Sequence, residues 1–239
     1  MIEYGQFCPV SKAAEVLGER WTFLIVRQLL GGATRFNQIH RGVSKISPTV
    51  LNKRLRELEV AGVVVKKTIP GQRGFEYQLT ECGRDLEKLV IDLGEWGMRW
   101  ARSSMSDDEL DVQLLMGDIQ NRIDPNALPG GQTLLKFKYT DLPEYDRWWI
   151  RVDCGDVDLC MDNPGGEVDV HFTCDLRTMT EIWVGDLQLK EARSSGRLKL
   201  TGPSAFLRNL SSWFLLSSFS DIRPGGGAAR LNRDAGGER

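Results

Sequence analysis

The stretch Ser47-Pro48-Thr49-Val50-Leu51-Asn52-Lys53-Arg54-Leu55-Arg56-Glu57-Leu58-Glu59-Val60-Ala61-Gly62 decides the fold of the first half of the chain. Ser47 suits a helix N-cap, because its hydroxyl oxygen can accept one of the amides that the first turn leaves unpaired. Pro48 suits the first helical position, where its missing N–H costs nothing. The pattern predicts a helix to Ala61, which Gly62 ends. Leu51, Leu55 and Leu58 recur at helical spacing and face a core, so Thr49, Asn52, Lys53 and Arg56 share the opposite face. These are base-reading residue types: Arg and Lys can bond the guanine edge, Asn the adenine edge, and Thr a thymine methyl or a phosphate. A recognition helix presents its N-terminal half to the major groove, which is where Thr49, Asn52 and Lys53 stand. A polar helix face taken alone is more often a solvated surface, so the flanking elements carry the decision.

Those elements come in the order a winged helix-turn-helix needs. Val10, Ala13, Ala14 and Leu17 give a short amphipathic helix, and Trp21 to Leu30 a more apolar one ended by Gly31-Gly32. Arg35 to Arg41 is a third, with Phe36 and Ile39 on one side. Arg35 and Asn37 open that helix, and Ser47 opens the next. At helix starts, side chains and N–H groups can meet backbone phosphate. Downstream, the strand-like runs Val63 to Thr68 and Phe75 to Leu79 flank the tip Pro70-Gly71-Gln72-Arg73-Gly74, which predicts a hairpin wing. Its Lys66, Lys67 and Arg73 suit phosphates or the minor groove. Thr80 then caps a predicted long helix with a stripe of Leu86, Leu89, Val90, Leu93, Trp96 and Trp100. That stripe either covers its own core or meets a second copy of the chain.

The net charge of -2 hides a division. Residues 1–102 hold 16 Lys+Arg against 11 Asp+Glu, whereas residues 103–239 hold 15 against 22. Within residues 35–73 the count is 9 to 2. A local basic excess is what phosphate neutralisation requires, although a basic solvated surface would give the same count. The five cysteines (Cys8, Cys82, Cys154, Cys160, Cys174) are odd in number and widely spaced, which argues against a disulfide framework. Neither they nor His40 and His171 have zinc-site spacing, so no metal and no cofactor is expected. No apolar run is long enough for a membrane span, and the N-terminus shows no secretory pattern. Cytosolic residence is the expectation.

The first half resembles the HxlR-type winged-helix regulators. The matching residues are Cys8-Pro9, Gly18-Glu19-Arg20-Trp21, Arg35-Phe36-Asn37, Ile46-Ser47-Pro48, Leu51 to Leu55, Leu58 with Ala61-Gly62, and Tyr77-Gln78-Leu79-Thr80 with Gly83. The resemblance covers about residues 5–102. It implies a homodimer on double-stranded DNA, with the terminal helices forming the interface. Thr49 departs from the basic residue often found there, which bears on base preference and one phosphate contact. The resemblance also implies a second control: in some similar proteins a cysteine at the position of Cys8 senses oxidants or electrophiles. The chemistry needs an accessible thiolate of lowered pKa, and a packed structural cysteine is the alternative.

The second half is expected to be a separate unit. Polar residues Ser103 to Asp108 mark a boundary between a DNA-binding and dimerisation domain over 1–103 and an α/β domain over 107–222. A helix is expected from Glu109 to Arg122. Period-two alternation then places Leu135, Phe137 and Tyr139 on one face, as it does Trp148, Ile150 and Val152; Val157, Leu159 and Met161; and Val168, Val170 and Phe172. This predicts an antiparallel sheet covered by helices around Met179 to Leu189 and Pro203 to Phe214. The whole chain is therefore α+β. Residues 223–239 are Gly-rich and predict a disordered tail.

This half is similar to sterol carrier protein-type domains through Asp175-Leu176-Arg177-Thr178-Met179-Thr180-Glu181-Ile182-Trp183, Gly196-Arg197-Leu198-Lys199-Leu200-Thr201-Gly202-Pro203, and a terminal helix with Phe206, Leu210 and Trp213. The resemblance implies a lipophilic small-molecule ligand, an effector of the DNA-binding half. Phe137, Trp148, Ile150, Phe172, Trp183, Phe206, Leu210 and Trp213 are the candidate lining, or else they fill a core. No nucleophile motif, phosphate loop or inward carboxylate pair is present, so no catalytic residue is assigned and a non-enzyme is expected. The other reading is a lipid carrier or enzyme in which the winged helix serves assembly.

Overall fold

The computed structural model describes residues 3–69, 71, 74–101 and 106–223. The chain divides into two compact units, Met1–Leu93 and Gly94–Arg239.

In the first unit, α1 spans Pro9–Leu17, α2 Thr22–Leu30, α3 Phe36–Gly42 and α4 Pro48–Val60. Trp21 precedes α2 in the left-handed region, at φ 81°, with the Arg20 guanidinium 4.6 Å from its ring centre. The Gln38 side-chain oxygen accepts from the amides of Thr34 and Arg35, which fastens the entry to α3. Ser47 caps α4 as expected, its Oγ accepting from Val50 N at 3.3 Å. Leu51, Leu55 and Leu58 are buried with Ile25, Val26 and Ile39 in one core. Gly62 ends α4 at φ +74°, a conformation that favours glycine.

The wing follows, with β1 (Val64–Thr68) and β2 (Phe75–Leu79) antiparallel and Lys66 opposite Tyr77. Tyr77 N donates to Thr34 O at 2.8 Å, and Arg35 forms an isolated antiparallel bridge with Glu76, so the segment before α3 lies against β2. Lys66, Lys67 and Glu76 therefore lie on a hairpin fixed to the helix-turn-helix at its base.

The single long helix expected after Thr80 is instead broken. Thr80 caps α5 (Glu81–Arg84) by accepting from Gly83 N, and α6 runs from Leu86 to Trp96 before a π-helical turn at Gly97–Ala101. The first turn is pinned against β1. The Thr80 hydroxyl donates to Gly62 O at 2.6 Å, and a Cβ on Gly83 would fall 2.2 Å from Val63 O. Leu86 and Val90 pack on the core, but α6 buries none of its residues fully.

In the second unit the helix expected from Glu109 is a 3-10 turn (Asp107–Glu109) followed by α7, Val112–Gln120. Asp111 starts α7, accepting from Gln113 N and Leu114 N. Then come β3 (Thr133–Tyr139), β4 (Arg147–Asp153), β5 (Asp156–Cys160) and β6 (Val170–Cys174). They are followed by α8 (Leu176–Trp183), α9 (Leu189–Ser194), β7 (Lys199–Thr201), α10 (Ser204–Arg208) and α11 (Leu210–Trp213).

The sheet order is β5-β4-β3-β6-β7. It is antiparallel except at its centre, where β3 and β6 run parallel, so the expected fully antiparallel sheet is mixed. The link 161–169 is the cause: it returns the chain from edge strand β5 to the free side of β3 in the same direction. That link also takes Met161 out of the strand and leaves it exposed. β7, which alternation did not mark, closes the other edge. The inner face buries Leu135, Phe137, Trp148, Ile150, Val170 and Phe172, covered by Met116 and Ile119 of α7, Met179 and Ile182 of α8, and Trp213. The expected tail lies outside the described residues from position 224 onward.

Candidate nucleic-acid interface and ligand cleft

The exposed face of α4 carries Thr49, Asn52, Lys53 and Arg56, all solvent-facing, beside buried Leu51 and Leu55. Asn52 folds back, its Nδ2 donating to Pro48 O at 3.2 Å, and must swing out to reach a base edge. Lys53 Nζ lies 3.9 Å from Glu57 Oε1, a loose exposed pair that phosphate can displace. Arg56 is exposed and has no hydrogen-bond or ion-pair partner among the described residues.

The underside of α4 is anchored by charge as well as by leucines. Arg54, 12% exposed in its side chain, bonds Glu19 Oε2 at 2.7 Å and also pairs with Glu57. The polar face is thus held at a fixed rotation about the helix axis.

On the wing, Lys66 Nζ stands 3.9 Å over the Phe75 ring and Lys67 Nζ donates to Gln78 Oε1 at 2.7 Å. Both lysines are exposed. Arg35 is half-buried at the start of α3, and Asn37 is exposed one position into it. Ser47 is exposed, but its oxygen is taken by the α4 cap. Arg73 lies outside the described residues. Lys45, exposed in the turn between α3 and α4, was not singled out in the sequence. The only signal for it was the local basic excess.

Cys8 is half-buried at the position before α1. The backbone amides of Ser11 and then Val10 face its sulfur and draw its pKa below the usual thiol value, as helix N-termini do.

In the second unit the eight expected pocket residues are all buried. Phe137 and Phe172 stack at 4.4 Å, Phe172 meets Trp213 edge-on at 6.3 Å, and Trp213 Nε1 donates to Phe206 O. A cleft of about 1060 Å³ opens beside them, between α9, the α10–α11 segment and residues 214–221. Of the eight, Leu210 alone lines it; the other seven form the core behind it. Its apolar wall is Leu189, Leu207, Leu210, Phe214, Leu215 and Leu216. Lys190, Arg193 and Arg208 stand around its mouth, with serines and Asp221. The cleft was not legible in the sequence, because irregular backbone after α11 builds one side of it.

Among the described residues no helix is long and apolar enough to cross a membrane. Residues 16–105 match the profile of the HxlR-like helix-turn-helix family, and residues 113–214 that of the SCP-2 sterol transfer family. The HTH-type transcriptional regulator YvaP of Bacillus subtilis is 38% identical over 105 residues, covering 43% of this chain and 97% of YvaP. Its counterpart YdeP, from the same organism, is 35% identical over 39% of this chain and 73% of YdeP. Among solved structures, the redox regulator HypR in its reduced form is 36% identical over 38% of this chain and 90% of that one, with a TM-score of 0.36.

Proposed function

Because the chain belongs to the HxlR-like helix-turn-helix family of DNA-binding transcription regulators, we propose that it works as a homodimer whose second unit receives a lipophilic small molecule. The observation that carries the DNA reading is the solvent-facing row Thr49, Asn52, Lys53 and Arg56 on a helix anchored from below, with wing lysines beside it. Residues 1–103 bind DNA and dimerise, and residues 107–222 hold the effector. Thr49, Asn52, Lys53 and Arg56 face the base edges, while Lys66, Lys67 and Arg73 of the wing and Arg35, Asn37 and Ser47 at the helix starts serve the backbone and orientation.

The dimer reading rests on α6. Leu89, Leu93, Trp96 and Trp100 fall on one helix face and are all exposed, Trp96 at 54% and Trp100 at 47%. Large apolar groups in one stripe mark an interaction surface, and a two-fold dimer reads paired half-sites. The effector reading rests on the cleft, whose volume and apolar wall suit a whole small molecule. A ligand preferred by one DNA-binding geometry would shift the dimer toward it.

The test is a mobility-shift titration against the promoter of the chain's own gene. Asn52→Ala and Arg56→Ala are each expected to lose about 1–3 kcal/mol of discrimination at their base pairs, roughly a five- to 150-fold change. Undiminished binding in both refutes the assignment.

A second reading has its own observation. The lowered pKa of Cys8 favours control by an electrophile or oxidant. If modification of Cys8 leaves DNA affinity unchanged, that control is absent.

A further inference from the structure

Residues 214–221 build one wall of the C-terminal cleft, and every one of them lines it except Phe219. Phe219 also lies outside both apolar cores of the described residues. Its ring is seated instead on Gly94 of α6. A Cβ on Gly94 would fall 2.6 Å from Phe219 Cε1, closer than a real side chain approaches. Both residues belong to the second unit. Glycine inside a helix is less favourable than alanine, and the seat for the ring accounts for its presence here. Three residues on, Gly97 opens the π-helical turn Gly97–Ala101, where the hydrogen-bond period of the helix changes. This end of α6 is soft by its own sequence and takes its direction from what packs on it.

The wall is held from its other side by backbone. Leu215 N donates to Arg122 O at 3.3 Å, Arg122 Nε donates to Leu216 O at 3.1 Å, and Ser217 N donates to Trp183 O at 3.1 Å. Gly185, at φ +83°, lets Ser220 come so close that a Cβ there would fall 2.8 Å from the Ser220 carbonyl carbon. The segment is thus fastened to the second unit's own helices by its main chain and to α6 by one side chain. The start of α6 packs on the winged-helix core through Leu86 and Val90.

We propose that the Phe219 ring on Gly94 is a latch through which the cleft wall acts on α6. The proposal rests on the reading of the cleft as an effector site and adds the route by which occupancy reaches the helix that carries the exposed stripe. A ring in a glycine notch is either seated or displaced, because packed contacts do not deform continuously. A ligand that fits the cleft better in one of these states shifts the population toward it. Seated, the ring fixes the end of α6; displaced, it frees that end.

The experiment follows amide hydrogen exchange by mass spectrometry in the full-length protein. Phe219→Ala is expected to speed exchange both in residues 214–221 and in residues 90–101, by about fivefold or more, the scale of losing one interlocked contact. Gly94→Ala approaches the latch from the other side and guards against a variant that fails to fold. Helix propensity alone would make it slow exchange in α6. The latch demands instead that the added methyl unseat the ring and speed exchange in residues 214–221. In the double variant the vacated ring leaves room for the methyl, so the two effects should not add. The functional arm measures operator DNA affinity with and without cis-parinaric acid, a fluorescent eighteen-carbon carboxylate. The acid is expected to change wild-type affinity by a factor of about five or more. Phe219→Ala should still bind both acid and DNA, with that factor reduced to about one. Unchanged exchange in α6 of Phe219→Ala overturns the latch, and so does a factor equal to that of the wild type. A factor of one in the wild type with the acid bound overturns it as well. Absence of acid binding counts against the cleft as an effector site, and the exchange result then decides the latch by itself.

Discussion

At the scale of single residues, the cysteines show how surroundings divide one chemistry into several. The amides of Ser11 and Val10 stabilise the Cys8 thiolate and lower its pKa. Cys154 goes the other way, because the Asp153 carboxylate holds its proton by hydrogen bond and by charge. Burial, then Asp175 and Asp141, push the Cys174 thiol up to about 12. The thiolate is the nucleophile, so a lower pKa means a larger reactive fraction at any pH below the ordinary thiol value. Iodoacetamide labelling between pH 6.5 and 8.5, followed by peptide mass spectrometry, should therefore modify Cys8 before Cys154 and leave Cys174 unmodified. A Cys8 labelling midpoint at or above that of Cys154 would contradict the electrostatic picture. Cys8 could be marked as a candidate through the family resemblance, but the sign of its shift needed the amide directions, which no sequence pattern carries.

At the scale of elements, α4, the proposed reading helix, is secured by two kinds of force. Leu51, Leu55 and Leu58 supply apolar burial, and Arg54 ties α4 to Glu19 ahead of α2 while pairing with Glu57. Arg54→Ala is expected to cost about 2 kcal/mol in urea denaturation, below the 3–5 of a fully buried pair because both glutamates are a quarter exposed. It should also weaken DNA binding more than Lys53→Ala, since it loosens the whole face, whereas Lys53 contributes one exposed charge. Element existence was legible here: helical leucine spacing, Ser47-Pro48 and Gly62 each reported a local force that tertiary packing did not oppose. The break between α5 and α6 was not, and it falls where the chain packs closely on a distant position, a Cβ on Gly83 falling 2.2 Å from Val63 O. For the same reason alternation found β3 to β6 but not the parallel pairing of β3 with β6, which depends on where link 161–169 delivers the chain. The exposed stripe of α6 carries a prediction of its own. Leu93→Asp with Trp96→Ser should convert the protein to a monomer in sedimentation velocity, with little loss of Tm, because neither side chain is buried within one chain.

At the scale of the whole molecule, the two halves differ in the partners their surfaces favour. The basic excess lies in residues 35–73, around the helix face and the wing, while the acidic half holds the apolar-walled cleft. Candidate residues of the DNA face could be named from the sequence because they recur on one regular helix. The pocket residues could not, because large apolar groups at strand spacing describe a core equally well, and in the fold seven of the eight are core. The division of labour makes a quantitative demand. If a ligand in the cleft changes DNA affinity by some factor, DNA must change ligand affinity by the same factor, since both measure one coupling free energy. Titrating cis-parinaric acid with and without saturating operator DNA, and operator DNA with and without the acid, should give equal ratios. A coupling of about 1–3 kcal/mol would appear as a five- to 150-fold ratio in both. A ratio of one in both directions, with the acid bound, would mean that the second unit carries its ligand without informing the first. A fragment ending at residue 105 should then bind DNA as the full chain does, with the same salt slope, because the cations proposed to meet phosphate all precede that point. With coupling present, that fragment should keep the slope and lose every response to the acid.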